Sequence, residues 1–342
     1  MQQFYCECSQ RVMSHHMQCF SCGRVLGFDP LLLRMYFVTP SDDGLYRDTA
    51  GIAYRLCPNR VEFHVCNGLV EDAVGLPPQA RCSGCRLNRT IPNVGRLENI
   101  LRWRRLEVAK RRMLAGVAGL GLFVGKVENG FSGGMRFDFI EDKRSHPEVD
   151  LHFVTTGHHD GLITVNVLEA EAVERMEQQE LMGESYRTLL GHFRHEAGHY
   201  FYPQLVTDIA SFTQQFGDPG ADYGAAVDSY YKHGAPANWN QRYISAYAAS
   251  HPMEDWAECF AHLLHIRDAM ETAVGYGLFP FPEVATDITG MLEQWSGLIA
   301  GINEMNQSLG CGEPYPFVLS QAVKDKLAYV QGTIDRDVAS RS

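Results

Sequence analysis

Residues 195–199 read HEAGH, an HExxH pattern made by His195, Glu196 and His199 inside the stretch HFRHEAGHYFY. On a helix, residues four apart share a face, so two imidazoles can hold one ion while Glu196, one position along, leans over the open coordination place. Zinc with three protein ligands lowers the pKa of a bound water towards about 7, and a neighbouring carboxylate can take that proton and hand it to a leaving amine. The chemistry this spacing suggests is hydrolysis at a carbonyl. HExxH does not name the third ligand, and the extended pattern HExxHxxGxxH is absent, since position 202 is Tyr and position 205 is Leu.

Downstream, SAYAASHPMEDWAECFAHLLHI offers Glu254 and Glu258 one turn apart, on a helix expected to open at Pro252. We assign Glu254 as the third ligand and Glu258 as the carboxylate that orients a ligand histidine; the reverse assignment of the two glutamates stays open. Asp255 points about 100° away from that face and is read as a cap or hydrogen-bond acceptor. Tyr247, seven residues before Glu254, is placed to donate to an oxyanion, with Tyr243 and His251 as rivals. His192 is read as a core or supporting histidine, and Cys259 and Cys311 as small buried hydrophobes.

Eight of the ten cysteines fall in the first 85 residues. Cys6, Cys8, Cys19 and Cys22 give C-x-C followed by C-x2-C, and Cys57 and Cys66 precede a second C-x2-C at Cys82 and Cys85. Eight thiolates in such pairs suit two four-cysteine structural zinc sites. A short segment rich in Gly, Pro and Arg buries little apolar surface, so closed zinc sites would supply the folding free energy a core does not. His15, His16 and His64 are alternative ligands on residue type, read as solvated. The skew in cysteine content sets a boundary: residues 1–95 as a cysteine-rich domain and 96–342 as a second, larger one.

What positions these groups is a run of helices. Residues 98–118 carry Leu101, Leu106, Val108 and Met113 at helical spacing, amid six Arg and Lys read as a solvated face. MRFDFIE (135–141), LHFV (151–154) and LITVNV (162–167) read as strands, with HHDG (158–161) as the turn between the last two. From 171 onward the pattern is helical, broken at FGDPG, HGAPANW, FPFPE and GCGEPYP. A few strands and then many helices make an α+β protein with a small antiparallel sheet.

A net charge of -11 disfavours nucleic acid as a partner. MLAGVAGLGLFVG (113–125) is too short and glycine-rich to span a bilayer, and the N-terminal MQQFYCECSQ has neither a basic start nor an apolar signal core, so no membrane span and a cytoplasmic location are expected.

Taken together, YRTLLGHFRHEAGHYF, FGDPGADY, SAYAASHPMEDWAECFAHLLHI, LCPNR, CRLNRTIPNV and YPFVL resemble the bacterial zinc-binding metallopeptidases that carry an N-terminal zinc ribbon, over nearly the whole chain. The resemblance implies a zincin-like fold of the gluzincin type. HExxH and EDWAE are also similar to the core of a bacterial toxin metalloprotease, in which the first Glu of such a pair binds zinc and a Tyr seven residues earlier assists. That similarity implies Glu254 over Glu258 and Tyr247 over Tyr243. The expected function is a zinc-dependent peptidase with one catalytic and two structural zinc ions, a peptide or protein substrate, and a ribbon domain open to a protein partner. The alternatives are an adaptor without turnover and a zinc hydrolase of non-peptide or conjugated amides.

Overall fold

The structure, a computed structural model, describes residues 3–125, 134–182, 188–278 and 280–341. By packing, the chain divides into two compact units, residues 2–175 and 176–342.

The first unit begins with β1 (Phe4–Tyr5) and β2 (Arg11–Val12), paired antiparallel. A five-stranded meander follows: β3 (Val25–Asp29), β4 (Arg34–Pro40), β5 (Tyr46–Arg47), β6 (Ala53–Leu56) and, after the short helix α1 (Pro58–Phe63), β7 (Leu69–Glu71). Each strand pairs antiparallel with the next. Strands this short bury little. One apolar cluster joins Leu26, Phe28 and Met35 to Cys6 and Cys19, and another is Cys57, Cys66, Cys82 and Cys85 with Val70. Sulfur here fills the place that aliphatic side chains take in a larger core.

Next come β8 (Asn88–Thr90), α2 (Leu97–Gly119), β9 (Arg136–Ile140), β10 (Gly157–His159) and β11 (Leu162–Asn166), whose strands form a sheet in the order β10-β11-β9-β8. This sheet departs from expectation in two ways. It is mixed, not antiparallel: β9 runs parallel to both β8 and β11, and only β10 with β11 is a hairpin. The crossover that carries α2 supplies the length a parallel pair needs. LHFV at 151–154 is also not a strand. The hairpin's first arm is Gly157–His159, because Asp160 (φ 46°) and Gly161 (φ 78°) form a two-residue turn that fixes the register His159 to Leu162. His159 and Asp160 are exposed, and His158 accepts from the Gly161 amide.

The basic residues of α2 are not one solvated face. Arg102 and Arg105 pair with Glu171. Lys110 is fully buried, its Nζ 2.8 Å from Glu107 Oε1 and 3.0 Å from the Gly84 carbonyl, while Arg111, 6% exposed, donates to Asn67 Oδ1 and approaches Cys82 Sγ at 3.6 Å.

From there the chain is helical: α3 (Ala172–Met182), α4 (Leu189–Leu205), α5 (Ile209–Phe216), α6 (Tyr223–His233), α7 (Pro252–Gly275), α8 (Ile288–Ser308) and α9 (Gln321–Ser340). Short polar residues start them, as side chains of Thr188, Asp208, Asp222, Asp287 and Ser320 each accept from a first-turn amide. The breaks fall where Gly and Pro demand, except that FPFPE begins at 279, outside the described residues. The core between α4 and α7 holds Phe193, Ala197, Phe201, Trp256, Ala257 and Phe260. Phe201 and Phe260 stack at 5.7 Å. The backbones approach closely at Gly198, where a Cβ would stand 2.9 Å from Ala257 Cα, and Trp256 Nε1 donates to the Gly198 carbonyl at 2.9 Å. No described helix is long and apolar enough to cross a membrane.

Candidate metal centre

The close α4–α7 contact sets one turn of each helix face to face. His195 and His199 project from α4, and Glu254 comes from the first turn of α7. His195 Nε2 lies 3.1 Å from His199 Nε2 and 2.9 Å from Glu254 Oε2, and His199 Nε2 is 3.3 Å from Glu254 Oε1. A tetrahedral zinc with ligands at 2.0–2.1 Å separates neighbouring donor atoms by about 3.3 Å. The three side chains fit that ion, and they form one of three such donor groups among the described residues.

The charges agree with the distances. Burial alone would discharge His195, but Glu254 and Glu258 on its two sides hold its pKa well above the ordinary histidine value. Burial likewise opposes ionisation of Glu254, and the two imidazoles overcome it, holding that carboxyl far below the usual range. Carboxylates facing imidazole nitrogens at this range are a set that a dication satisfies without added protons.

Around the donors lies a supporting layer. Glu258, a turn after Glu254, meets the other face of His195, with Oε1 2.7 Å from Nδ1. Its second oxygen accepts from Ser245 Oγ at 2.6 Å, and despite burial these partners bring its pKa to about 2. Such a carboxylate–imidazole contact fixes the ring's tautomer and aim. Glu196 is 8% exposed, and its Oε2 is enclosed with no hydrogen-bond partner.

The rival residues are engaged elsewhere. His251 caps α7, its Nδ1 accepting from the Met253 amide. The Tyr243 ring lies 4.3 Å under Lys326 Nζ. Asp255 is fully buried and accepts from Lys326 Nζ at 2.5 Å, which makes it an anchor for α9 rather than a cap. Cys259 is buried as expected, whereas Cys311 is exposed, in the Gly-rich segment after α8. Tyr247 has its ring centroid 5.9 Å from that of His195, and burial, then Glu254, raises its phenol pKa far above normal.

Two partners escaped the sequence reading. Tyr223, the first residue of α6, donates from its hydroxyl to Glu254 Oε1 at 2.9 Å, and Ser245 supports Glu258. The only local signal at Tyr223 is Asp222, whose side chain caps α6.

In the first unit, the Sγ atoms of Cys6, Cys8, Cys19 and Cys22 form a second donor group and those of Cys57, Cys66, Cys82 and Cys85 a third. Cys6 and Cys22 sulfurs are 3.6 Å apart, as are those of Cys8 and Cys19, against about 3.8 Å for a tetrahedral zinc with Zn–S near 2.3 Å. His15, His16 and His64 are in neither group. A Cβ at Gly68 would stand 2.2 Å from Cys82 Sγ, so this position has no room for a side chain. Contact with the other cysteines drives the Cys82 thiol well below its ordinary pKa and that of Cys85 well above. Zinc binding by these clusters fits both their geometry and their chemistry.

Known proteins bear on the same residues. Residues 3–96 match a family described as a zinc-ribbon domain. The chain is 36% identical over 348 residues to uncharacterised proteins of Mycobacterium bovis and Mycobacterium tuberculosis, covering 98% of this chain and 96% of each relative. No solved structure gives a significant match. Residues 99–333, which include every donor of the α4–α7 centre, match a further family, and the chain belongs to it: the family described as "Putative zinc-binding metallo-peptidase".

Proposed function

We propose that the α4–α7 centre is the active site of a zinc-dependent peptidase. The observation that carries this reading is the meeting of His195, His199 and Glu254, with Glu196 next in the chain and its Oε2 enclosed without a hydrogen-bond partner. A zinc ion held there would polarise a scissile carbonyl and acidify a water, the Lewis-acid chemistry this donor set suits. Glu196 accepts the proton of the attacking water and returns it to the leaving nitrogen. Glu258, backed by Ser245, keeps His195 aimed. Tyr247 donates to the oxygen on which negative charge develops, and its raised pKa keeps it a donor. Tyr223 holds the Glu254 carboxylate through Oε1, the oxygen that also faces His199. The substrate is a peptide or protein, and the two cysteine clusters hold structural zinc. Eight thiols gathered for metal suit a reducing cytoplasm.

The test is Glu196→Gln. It should lower kcat/KM for peptide hydrolysis by about 100- to 10,000-fold while zinc content stays unchanged. A variant that still hydrolyses peptides at the parent rate removes this mechanism.

A further inference from the structure

Away from the α4–α7 centre, the first unit contains a small open pocket of about 60 Å³. That is room for an anionic head group with its body at the mouth, not for a drug-sized ligand. One wall is apolar, with Met17, Phe28 and Val65, and another is a stripe of α2 that carries Arg104, Val108, Arg111 and Arg112; His15 faces them. No Asp or Glu lines it.

The three arginines differ in what they already hold. Arg111 is spent on the protein: it donates to Asn67, and the thiols of Cys82, Cys66 and Cys85 keep it charged despite burial. Arg104 and Arg112 have no carboxylate partner among the described residues, and Arg112 Nε is buried with no acceptor. A buried guanidinium nitrogen left without an acceptor costs free energy, which an anion in the pocket would recover. The one acidic group in the lining is the Cys66 thiol, which belongs to the second thiol cluster and faces Arg111, so Arg104 and Arg112 stand out as unneutralised in a chain of net charge -11. His15 responds to the same imbalance: burial, and then the charges of His16, Arg112 and Arg104, lower its pKa.

We propose that this pocket is a second ligand site, which takes a small organic anion, a single carboxylate or phosphate on an apolar body, with the anion on Arg104 and Arg112 and the body on Met17, Phe28 and Val65. A guanidinium reads both anions with paired donors, so their shared chemistry is what the site selects.

Calorimetric titration of the full-length zinc-loaded protein tests this. The probes are N-acetyl-leucine as carboxylate, phenyl phosphate as phosphate, and N-acetyl-leucinamide as the neutral control. The same titrations in His199→Ala keep an anion at the catalytic centre from being counted. In His199→Ala at least one anion should still bind one to one, and the two arms say which. Arg104→Gln with Arg112→Gln should weaken it by at least about tenfold with the ribbon zinc retained. If that double variant loses zinc or fails to fold, Arg104→Gln alone, at an exposed position, should still weaken binding by at least about threefold. No binding by either anion, equal binding of the amide, or unchanged affinity in a folded Arg104→Gln protein would overturn the assignment.

Discussion

At the scale of single residues, the two phenols near the centre are asked to do different things. Tyr247 faces the His195 ring, and Tyr223 donates to Glu254. Tyr247→Phe should therefore lower kcat by about tenfold or more and leave zinc affinity near the parent value. Tyr223→Phe should instead weaken zinc binding by about 10- to 100-fold, the usual effect of removing a group that orients a metal ligand. Zinc competition assays beside steady-state kinetics separate these outcomes, and the reverse pattern would exchange the two roles. Much at this scale was legible from spacing. A four-residue interval puts His195 and His199 on one face whatever surrounds them, and the same interval joins Glu254 to Glu258. Tyr223 was not legible, because it reaches Glu254 across a fold that brings together residues 31 apart, and no periodicity encodes such a meeting. His251 stood as a rival to Tyr247 for the oxyanion because of its place beside the helix, but an imidazole just before Pro252 caps the backbone instead.

At the scale of elements, the centre depends on how closely α4 and α7 approach. Gly198→Ala would force a methyl against Ala257 Cα and part the helices. We expect a stability loss of about 1–3 kcal/mol, the range for overpacking a full core, accompanied by weaker zinc binding because His199 adjoins the displaced turn. Thermal unfolding with and without zinc measures both; a variant with unchanged zinc affinity would show that the helix spacing does not tune the site. Helices were readable because their starts carry Asp, Ser or Thr and their ends meet Gly and Pro. The sheet was less so. LHFV has the composition of a strand, yet hydrogen bonds go to Gly157–His159, since the Asp160–Gly161 turn dictates which residues can face β11. The parallel pairing of β8 with β9 follows from the α2 crossover, a long-range fact that short windows of sequence do not carry.

At the scale of the whole molecule, three donor groups predict three zinc ions per chain by elemental analysis. His195→Ala with His199→Ala should leave two. A mild chelator should remove metal from the Cys6 cluster before the Cys57 cluster, because Cys8 and Cys22 are exposed and all four cysteines of the other set are buried. Release in the opposite order would mean that burial does not govern the exchange. The cysteine skew made these clusters legible early, since thiol pairs announce metal by spacing alone. The buried Lys110 and Arg111 were hidden in the same stretch, because a charge on a helix reads as solvated until its partner, such as Glu107 or a cluster of thiols, is known.

The salt bridge from Lys326 to Asp255 ties α9 to the residue beside Glu254, across 71 positions of chain. Burial pushes the Asp255 carboxyl up to about 7, and the Lys326 ammonium is the cation that opposes this and holds it charged. The turn that presents Glu254 is thereby fastened to the C-terminal helix, and a chain cut before Gln321 should hold zinc at the α4–α7 centre more weakly than the whole protein.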